Sequence, residues 1–314
     1  MEDTSALYEK IDDLKMQVEQ NPGDYAMQKE LAFLYLDAGE LKPGLEIFEK
    51  LITIFPQDGE LYFNLGIIYE KMKKEPQALE AYKKAVELSP QDADFNYNLA
   101  FLNDKMGNID EAISGYRRVL NIDMQDENTH FNLGVLYSKK NMSKEAIICL
   151  ENAVKLNSDD SYAWFYLAYE YNRTGDKPRA EAYYNNVIKI NPEYSWAYYN
   201  LACLYNERGD SYKAIDYLKK TLGINPNDVD AYRTLAKIMV ENNLVEDAIK
   251  EVMQGLDENP ELSDLHYILA KLYEKKGQND EAVHELKQAL LEADNLKVPA
   301  DKIKQELNRI TSKR

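Results

Sequence analysis

The chain has 314 residues, 45% of them hydrophobic and 24 of them tyrosine, so it carries enough apolar side chain to bury a core. A net charge of −17 argues against nonspecific binding to nucleic acid or to an anionic membrane, since basic surfaces drive both. The first residues, MEDTSALYEK, lack the features of a leader, and no apolar run approaches the ~20 residues that span a bilayer, so we expect a soluble cytoplasmic protein.

The first predicted element is a helix over residues 4–20, which ends before the turn sequence NPGD. Its apolar residues share one face at helical spacing: Leu7, Ile11, Leu14 and Val18. A helix with a single apolar face needs a neighbour to cover that face, so we interpret residues 1–24 as an N-terminal capping helix.

From residue 25 the sequence repeats with a period of 34 residues. Six prolines lie at this spacing or at a multiple of it: Pro22, Pro56, Pro90, Pro192, Pro226 and Pro260. Met124 and Ser158 occupy the two remaining places. The frame divides the chain, with no insertion or deletion, into eight blocks: 25–58, 59–92, 93–126, 127–160, 161–194, 195–228, 229–262 and 263–296. A period of this length is typical of stacked repeat arrays.

Each block carries two helical stripes with a turn between them. The seventh residue is always leucine: Leu31, Leu65, Leu99, Leu133, Leu167, Leu201, Leu235 and Leu269. The eighth is always alanine or glycine, and a residue that small lets a second helix approach closely. The second stripe has an alanine at the twentieth place of seven blocks, from Ala78 to Ala282. Turn sequences such as MGNID and ERGDS separate the stripes, so each block predicts a helix, a short turn and a helix.

The last predicted element is a helix from Pro299 to Ile310, because Ile303, Leu307 and Ile310 recur at helical spacing. We interpret residues 297–314 as a C-terminal capping helix and tail.

The cysteines and histidines are not arranged as a disulfide framework, a metal site or a catalytic site. Cys149 and Cys203 are too few and too far apart for a disulfide framework or a structural zinc site. The three histidines, His130, His266 and His284, are scattered through the chain. We expect all five to be packing residues, the cysteines reduced, and we predict no metal site, no cofactor and no catalytic residue.

The blocks closely resemble the tetratricopeptide repeat family in period, in the leucine and small-residue pair, and in the later alanine and proline. The resemblance covers residues 25–296 and implies an all-α fold, a right-handed superhelical solenoid of antiparallel helix pairs. The sequence departs from the family pattern at Gln28, Gly44, Asn103 and Gly255. From these departures we expect looser packing in blocks one, three and seven.

In this family the first helices line a concave groove with their second, fifth, sixth, ninth, twelfth and thirteenth places, which we call the groove face. The sixth place carries asparagine in four blocks: Asn64, Asn98, Asn132 and Asn200. A carboxamide can both donate to and accept from a peptide backbone, so this row suits an extended peptide whatever its side chains. Asparagine is also a poor helix former, so its repetition at one place of the helix indicates a role other than helix formation.

Two further rows lie on the groove face. The thirteenth place is basic in four successive blocks: Lys71, Lys105, Lys139 and Arg173. Aromatic residues add apolar surface: Phe63, Tyr97, Phe101, Phe131, Tyr162, Phe165, Tyr166, Tyr169, Trp196 and Tyr199. The basic row favours acidic side chains, and Glu207 replaces it in block six, so an acidic ligand should prefer blocks two to five. An ordinary solvated surface is the alternative interpretation of the basic row.

Two groups within the family offer precedents. The asparagines fall on the ladder that holds extended peptides in protein O-linked N-acetylglucosamine transferases, with Tyr166 interrupting it in block five. Chaperone adaptors instead clamp a terminal carboxylate, and although Lys29 and Asn64 match parts of that set, Phe33 and Asp94 replace others. We therefore expect no complete clamp.

Three classes of function remain open. We favour a noncatalytic scaffold or adaptor that holds an extended, acidic or aromatic-containing peptide segment of a protein partner in the groove. The second class is a self-associating structural subunit, a homo-oligomer whose groove is filled by another copy. The third is an enzyme or the regulatory partner of a separate enzyme; the repeats leave no space for a catalytic domain, so we predict that the chain itself is not an enzyme.

Overall fold

The computed structural model describes residues 4–291 and 296–312. The predictions for the first three residues, for the end of block eight and for the last two residues therefore lie outside the described part. The described residues form 18 helices, with the following bounds: α1 Thr4–Gln20, α2 Tyr25–Asp37, α3 Leu41–Ile54, α4 Gly59–Lys71, α5 Glu75–Leu88, α6 Ala93–Lys105, α7 Ile109–Ile122, α8 Glu127–Lys139, α9 Ser143–Leu156, α10 Ser161–Arg173, α11 Lys177–Ile190, α12 Ser195–Glu207, α13 Ser211–Ile224, α14 Val229–Glu241, α15 Val245–Glu258, α16 Ser263–Lys276, α17 Asn279–Ala289 and α18 Ala300–Thr311.

Aspartates fix where most of the first helices begin. Asp24, Asp58, Asp92, Asp126, Asp160 and Asp228 each precede such a helix and accept a hydrogen bond from a backbone N–H of its first turn. An N-cap of this kind satisfies a donor that the helix itself leaves unpaired. All eight first helices, α2 to α16 in even numbers, begin at the first residue of their block, including α12 and α16, which have no side-chain cap.

A left-handed residue ends each first helix at the fifteenth place of every repeat. Five of these residues are glycine, Gly39, Gly107, Gly175, Gly209 and Gly277, and the other three are Lys73, Asn141 and Asn243, each at φ of 59° or 60°. Glycine reaches this conformation without steric cost, whereas lysine does not. The turn to the second helix therefore has the same geometry in all eight repeats.

Within each repeat the two helices pack through the predicted stripes. All eight leucines of the seventh place are at most 7% exposed, and the seven alanines of the twentieth place are fully buried. A β-carbon built on Gly66 would lie 2.4 Å from the ring of Tyr82, so the small residue does permit the close approach. The predicted all-α array of helix pairs is confirmed, and the described residues contain no strand.

The helices form two compact units, Met1–Asn157 with α1 to α9 and Ser158–Arg314 with α10 to α18. In the first unit, α1 packs its apolar face, with Ile11 and Leu14 buried, against Leu31 of α2. In the second, α18 buries Ile303 and Ile310 against repeat eight. None of the helices in the described ranges is long and apolar enough to cross a lipid bilayer.

The two helices lie farther apart in repeats one and seven, but the expectation of looser packing was wrong for repeat seven, because the ring of Tyr232 fills the space beside Gly255. The backbones of the two helices come close at fewer positions in repeats one and seven than in the others. Repeat three packs like its neighbours, so the expectation was wrong there. Asn96 is fully buried and Asn103 nearly so, and both donate to backbone carbonyls, which replaces the missing aromatic contacts with hydrogen bonds.

Candidate functional site

Three asparagines of the sixth place bond to their own helix. Asn64, Asn98 and Asn200 each donate from Nδ2 to the backbone carbonyl four residues earlier, at 2.7, 2.8 and 2.8 Å. This bond uses one of the two N–H groups and fixes the direction of the carboxamide. Among the described residues no group donates to the three Oδ1 atoms. The half-buried Asn98 and Asn200 therefore keep one donor and one acceptor for another molecule, whereas Asn64 is only 6% exposed and offers little surface to a ligand.

Asn132 differs from the other three. Its Nδ2 donates to the hydroxyl of Tyr97 at 3.0 Å, on the first helix of the preceding repeat. Burial raises the pKa of Tyr97 above its ordinary value, so this hydroxyl stays protonated at neutral pH. The bond ties α6 to α8, and a ligand that engages Asn132 must share the amide with it.

The aromatic residues of the fifth place are half-buried and pack partly on the second helices. Phe63 stacks on Phe95 with ring centroids 4.6 Å apart and lies 5.7 Å from Tyr82. Tyr97 contacts Tyr116 and Phe165 contacts Tyr184 in the same way, at 5.6 and 5.7 Å. Phe131 and Tyr199 are also half-buried. This row therefore belongs partly to the core and offers only its edges to a ligand.

The exposed aromatic surface lies instead at the second and ninth places. Phe101 is 44% exposed in the first unit. In the second unit Tyr162, Trp196 and Tyr169 are 59%, 53% and 41% exposed, and the half-buried Tyr166 lies between them in sequence. Large apolar side chains that cluster on one surface commonly mark an interaction site.

Most of the basic row is paired with carboxylates. Lys105 bonds to Glu70 at 3.2 Å and lies 3.6 Å from Glu75, and Lys139 bonds to Asp104 at 3.3 Å. Arg173 bonds to Glu170, a fully buried carboxylate, at 2.7 Å. Lys71 is exposed and forms no ion pair within the described residues. An acidic ligand would have to compete with these carboxylates at three of the four positions.

A spacing of 35 residues could have revealed two of these partners from the sequence. Glu70 and Lys105 are 35 residues apart, as are Asp104 and Lys139, and so are Tyr97 and Asn132. Residues that contact each other across adjacent first helices are thus separated by one 34-residue repeat plus one residue. The thirteenth place of one repeat faces the twelfth place of the repeat before it.

The first unit has an acid-lined depression of about 610 Å³ beside Asn64. Its walls are aromatic, with Phe33, Phe63 and Phe95, and its carboxylates are Asp58, Glu60, Asp92 and Asp94. Lys29 pairs with both Asp58 and Glu60, which raises the pKa of Lys29 although partial burial opposes the shift. Lys29, which matches part of the chaperone clamp, is therefore already engaged with carboxylates.

The cysteines and two of the histidines have the packing roles that the sequence predicts. Cys149 is buried and Cys203 half-buried, and both are free thiols. His130 is buried and His266 lies 2.6 Å from Glu285, whereas His284 is exposed, so the expectation was wrong for that residue. No group of three or more His, Cys, Asp or Glu side chains within the described ranges could hold a metal ion.

Comparison with sequence families gives a consistent result. Profiles of the tetratricopeptide repeat match residues 59–92, 81–114, 131–195, 183–216, 206–261 and 263–295. Together these ranges cover well over half of the chain. A search of curated proteins found no match.

Solved structures with similar folds include tetratricopeptide repeat proteins. One is YrrB, described as a TPR protein with an unusual peptide-binding site, with 26% identity, a TM-score of 0.54, and coverage of 59% of this chain and 95% of that one. Another is a tetratricopeptide repeat protein from Parabacteroides merdae ATCC 43184, with 18% identity, a TM-score of 0.55, and coverage of 92% and 98%. The Cut9–Hcn1 hetero-tetramer of the APC/C matches at 18% identity and a TM-score of 0.51, over 85% of this chain and 52% of that one.

Proposed function

Because the chain belongs to the tetratricopeptide repeat family, we propose that it is a noncatalytic scaffold that holds an extended peptide segment of a protein partner on its groove face. One observation carries the proposal. In each unit an asparagine of the groove face, Asn98 in the first and Asn200 in the second, keeps an unpaired acceptor and a spare donor, and the groove face of the same unit carries exposed aromatic side chains. Paired donors and acceptors suit a peptide backbone, and aromatic surface suits its side chains.

The proposed segment is acidic or contains aromatic residues. Phe101, Tyr162, Tyr169 and Trp196 support the aromatic preference, because their exposed rings can stack on rings of the partner. Lys71 supports the acidic preference, since it is exposed and has no carboxylate partner among the described residues. YrrB, with which the chain shares 26% identity, is described as binding a peptide, which agrees with the proposed mode.

The test is affinity capture from the native lysate with the wild-type chain and with a variant that changes Asn64, Asn98, Asn132 and Asn200 to Ala. A matched control is Asn185→Ala on α11. Asn185 also donates to the carbonyl four residues earlier, at 2.8 Å, and is exposed, but lies on a second helix. The control therefore removes the same local hydrogen bond away from the groove face.

We expect the partners captured by the wild type to be lost with the fourfold variant and kept with the control. Partners that are unchanged in the fourfold variant would refute capture through the asparagine row. If the captured partner is a second copy of this chain, light scattering across concentration will show an oligomer, and the self-association alternative then replaces a heterologous scaffold.

A further inference from the structure

The second unit contains an apolar cleft between α14 and α16, the first helices of repeats seven and eight. Its volume is about 320 Å³ and its floor consists of Ala236, Val240, Ile268 and Leu272. Ala236, Ile268 and Leu272 are at most 5% exposed, so the floor is continuous with the core. The sixth place carries Thr234 and Ile268 here in place of asparagine, which makes this part of the groove face less polar than the asparagine row.

The cleft is held from one end by the segment before α18. The backbone N–H of Lys297 donates to Asp264 on α16 at 3.0 Å, and its Nζ bonds to Asp230 on α14 at 2.8 Å. One residue therefore joins the first turns of both helices. Lys297 thus bridges α14 and α16 at the end of the cleft where both helices begin.

Basic side chains surround the apolar floor. Arg233, Lys237, Lys271 and Lys275 line the cleft, and the acidic side chain among the lining residues is Glu241. Arg233 pairs with Asp230, and Lys271 with Glu274 and Glu306. Lys237 and Lys275 form no ion pair with any described residue. The rim is therefore positive in a chain whose net charge is −17.

The 35-residue spacing explains why these two lysines lack partners. Lys275 faces the place of Val240, and Lys237 faces the place of Leu272, because each pair is 35 residues apart. In repeats three and four the lysines at the place of Lys275 are Lys105 and Lys139, and they face Glu70 and Asp104. Val240 in place of an acid both adds to the apolar floor and leaves Lys275 uncompensated, whereas Leu272, opposite Lys237, occupies a place that is leucine or isoleucine in every repeat but the fifth.

We propose that this cleft binds an acidic segment of a partner protein, with one apolar side chain of leucine size on the floor and flanking carboxylates on Lys237 and Lys275. The proposal rests on the proposed scaffold function and gives its partner a chemistry and a place. The volume lies at the lower end of ligand pockets and the walls are apolar, which suits a side chain rather than a phosphate. It also moves the acidic preference from repeats two to five, where carboxylates already hold most of the cations, to repeats seven and eight.

The test uses the full chain and three fluorescein-labelled peptides of about nine residues, followed by fluorescence polarisation. The first peptide has a central leucine flanked by glutamates, the second has alanine at the centre, and the third has lysines in place of the glutamates. One variant combines Lys237→Glu with Lys275→Glu, and a second, Val240→Glu, places a carboxylate opposite Lys275. The matched control combines Lys250→Glu with Lys304→Glu, which changes the net charge equally at lysines that are 78% and 62% exposed outside the cleft.

We expect the leucine peptide to bind the wild type, the alanine peptide to bind about tenfold more weakly, and the lysine peptide not to bind. The double reversal should weaken the leucine peptide about tenfold or more, Val240→Glu should weaken it less, and the control should change it by less than about twofold. Circular dichroism confirms that each variant is folded. A central photo-leucine should cross-link to residues of α14–α16.

Equal binding to the wild type and to the cleft variants would overturn the proposal, as would cross-links outside α14–α16 or no binding of the leucine peptide at about 1 mM. Preference for an RNA oligonucleotide over the acidic peptide would also overturn it. The cleft variants are used in the lysate capture as well. Partners that are lost with the asparagine variant but kept with the lysine reversals would refute the cleft alone, whereas partners unchanged by either would refute the scaffold proposal itself.

Discussion

Repeat seven offers a sharp test of the packing between helix pairs, through Gly255→Ala. A β-carbon built on Gly255 would lie 2.3 Å from the hydroxyl oxygen of Tyr232 and 2.5 Å from its ring carbon Cζ. Tyr232 is only 4% exposed, and the free space that it borders is a depression of about 230 Å³ that Gly255 also lines. The substitution therefore either forces an overlap of about 1 Å or drives the tyrosine out of the core.

The expected loss follows from these two routes. Overpacking a core costs about 1–3 kcal/mol, and exposing a buried aromatic side chain costs about 2–3 kcal/mol. Alanine gains about 1 kcal/mol over glycine in a helix interior. The net loss should be up to about 2 kcal/mol, confined to repeat seven and its neighbours.

Native-state hydrogen exchange followed by mass spectrometry measures this loss locally, which matters because repeat arrays can unfold in parts. Amides of α14 and α15 should exchange faster in Gly255→Ala. Adding Tyr232→His should restore most of the protection, because repeat eight combines His266 with Ala289 at these two places. Protection equal to or above the wild type in the single variant would refute the overlap, and no recovery in the double variant would refute its assignment to Tyr232.

Three further predictions concern single residues. Lys73 has a φ of 59°, a left-handed conformation that is strained for lysine and unstrained for glycine. Lys73→Gly should therefore raise the free energy of unfolding in urea by about 0.5–1 kcal/mol, and no increase would contradict the strain at Lys73. Burial raises the pKa of Cys149 to about 11, which lowers the fraction of reactive thiolate. Iodoacetamide at about pH 8 should therefore alkylate Cys149 roughly 100-fold more slowly in the folded chain than in urea, and equal rates would refute this. Glu181 accepts a hydrogen bond from Tyr205 and pairs with Arg208, and both contacts lower its pKa below the ordinary value. The stabilisation is therefore present at neutral pH and is lost as the pH falls through the lowered pKa. Glu181→Gln should reduce the fall in the free energy of unfolding as the pH is lowered. An unchanged pH dependence of that free energy would exclude the Glu181 carboxylate as the source of the effect.

The fold could be predicted from the sequence because its signals recur eight times in one frame. Leu31 and its seven equivalents identify the buried stripe, and each first helix begins at the first residue of its block. The turns were harder to predict, since Lys73, Asn141 and Asn243 occupy a place that glycine marks in the other repeats. Only the frame, and not the local sequence, identifies these three residues as helix ends.

The packing of repeats three and seven depended on contacts that a pattern does not contain. Asn103 departs from the family pattern, yet its Nδ2 bonds to the carbonyl of Leu99 at 2.8 Å and its Oδ1 accepts from Asn108. Gly255 also departs, and there the ring of Tyr232 fills the space that a larger residue would take. A departure from a pattern predicts that packing changes, but the neighbour that compensates decides in which direction.

The sequence predicts which residues lie on the groove face, but it does not show directly which neighbouring side chains they contact. Equivalent residues of successive repeats are 34 residues apart. The residues that contact each other across adjacent first helices are instead 35 residues apart. Tyr199 and Thr234 meet at this 35-residue spacing, as do Glu274 and Arg309. A row of lysines at one place is therefore available to a ligand only where the preceding place of the adjacent repeat is not acidic. Applied along the chain, this rule removes Lys105 and Lys139 from the predicted site and keeps two lysines, Lys71 opposite Leu36 and Lys275 opposite Val240, where an acidic ligand meets no competing carboxylate at the facing place.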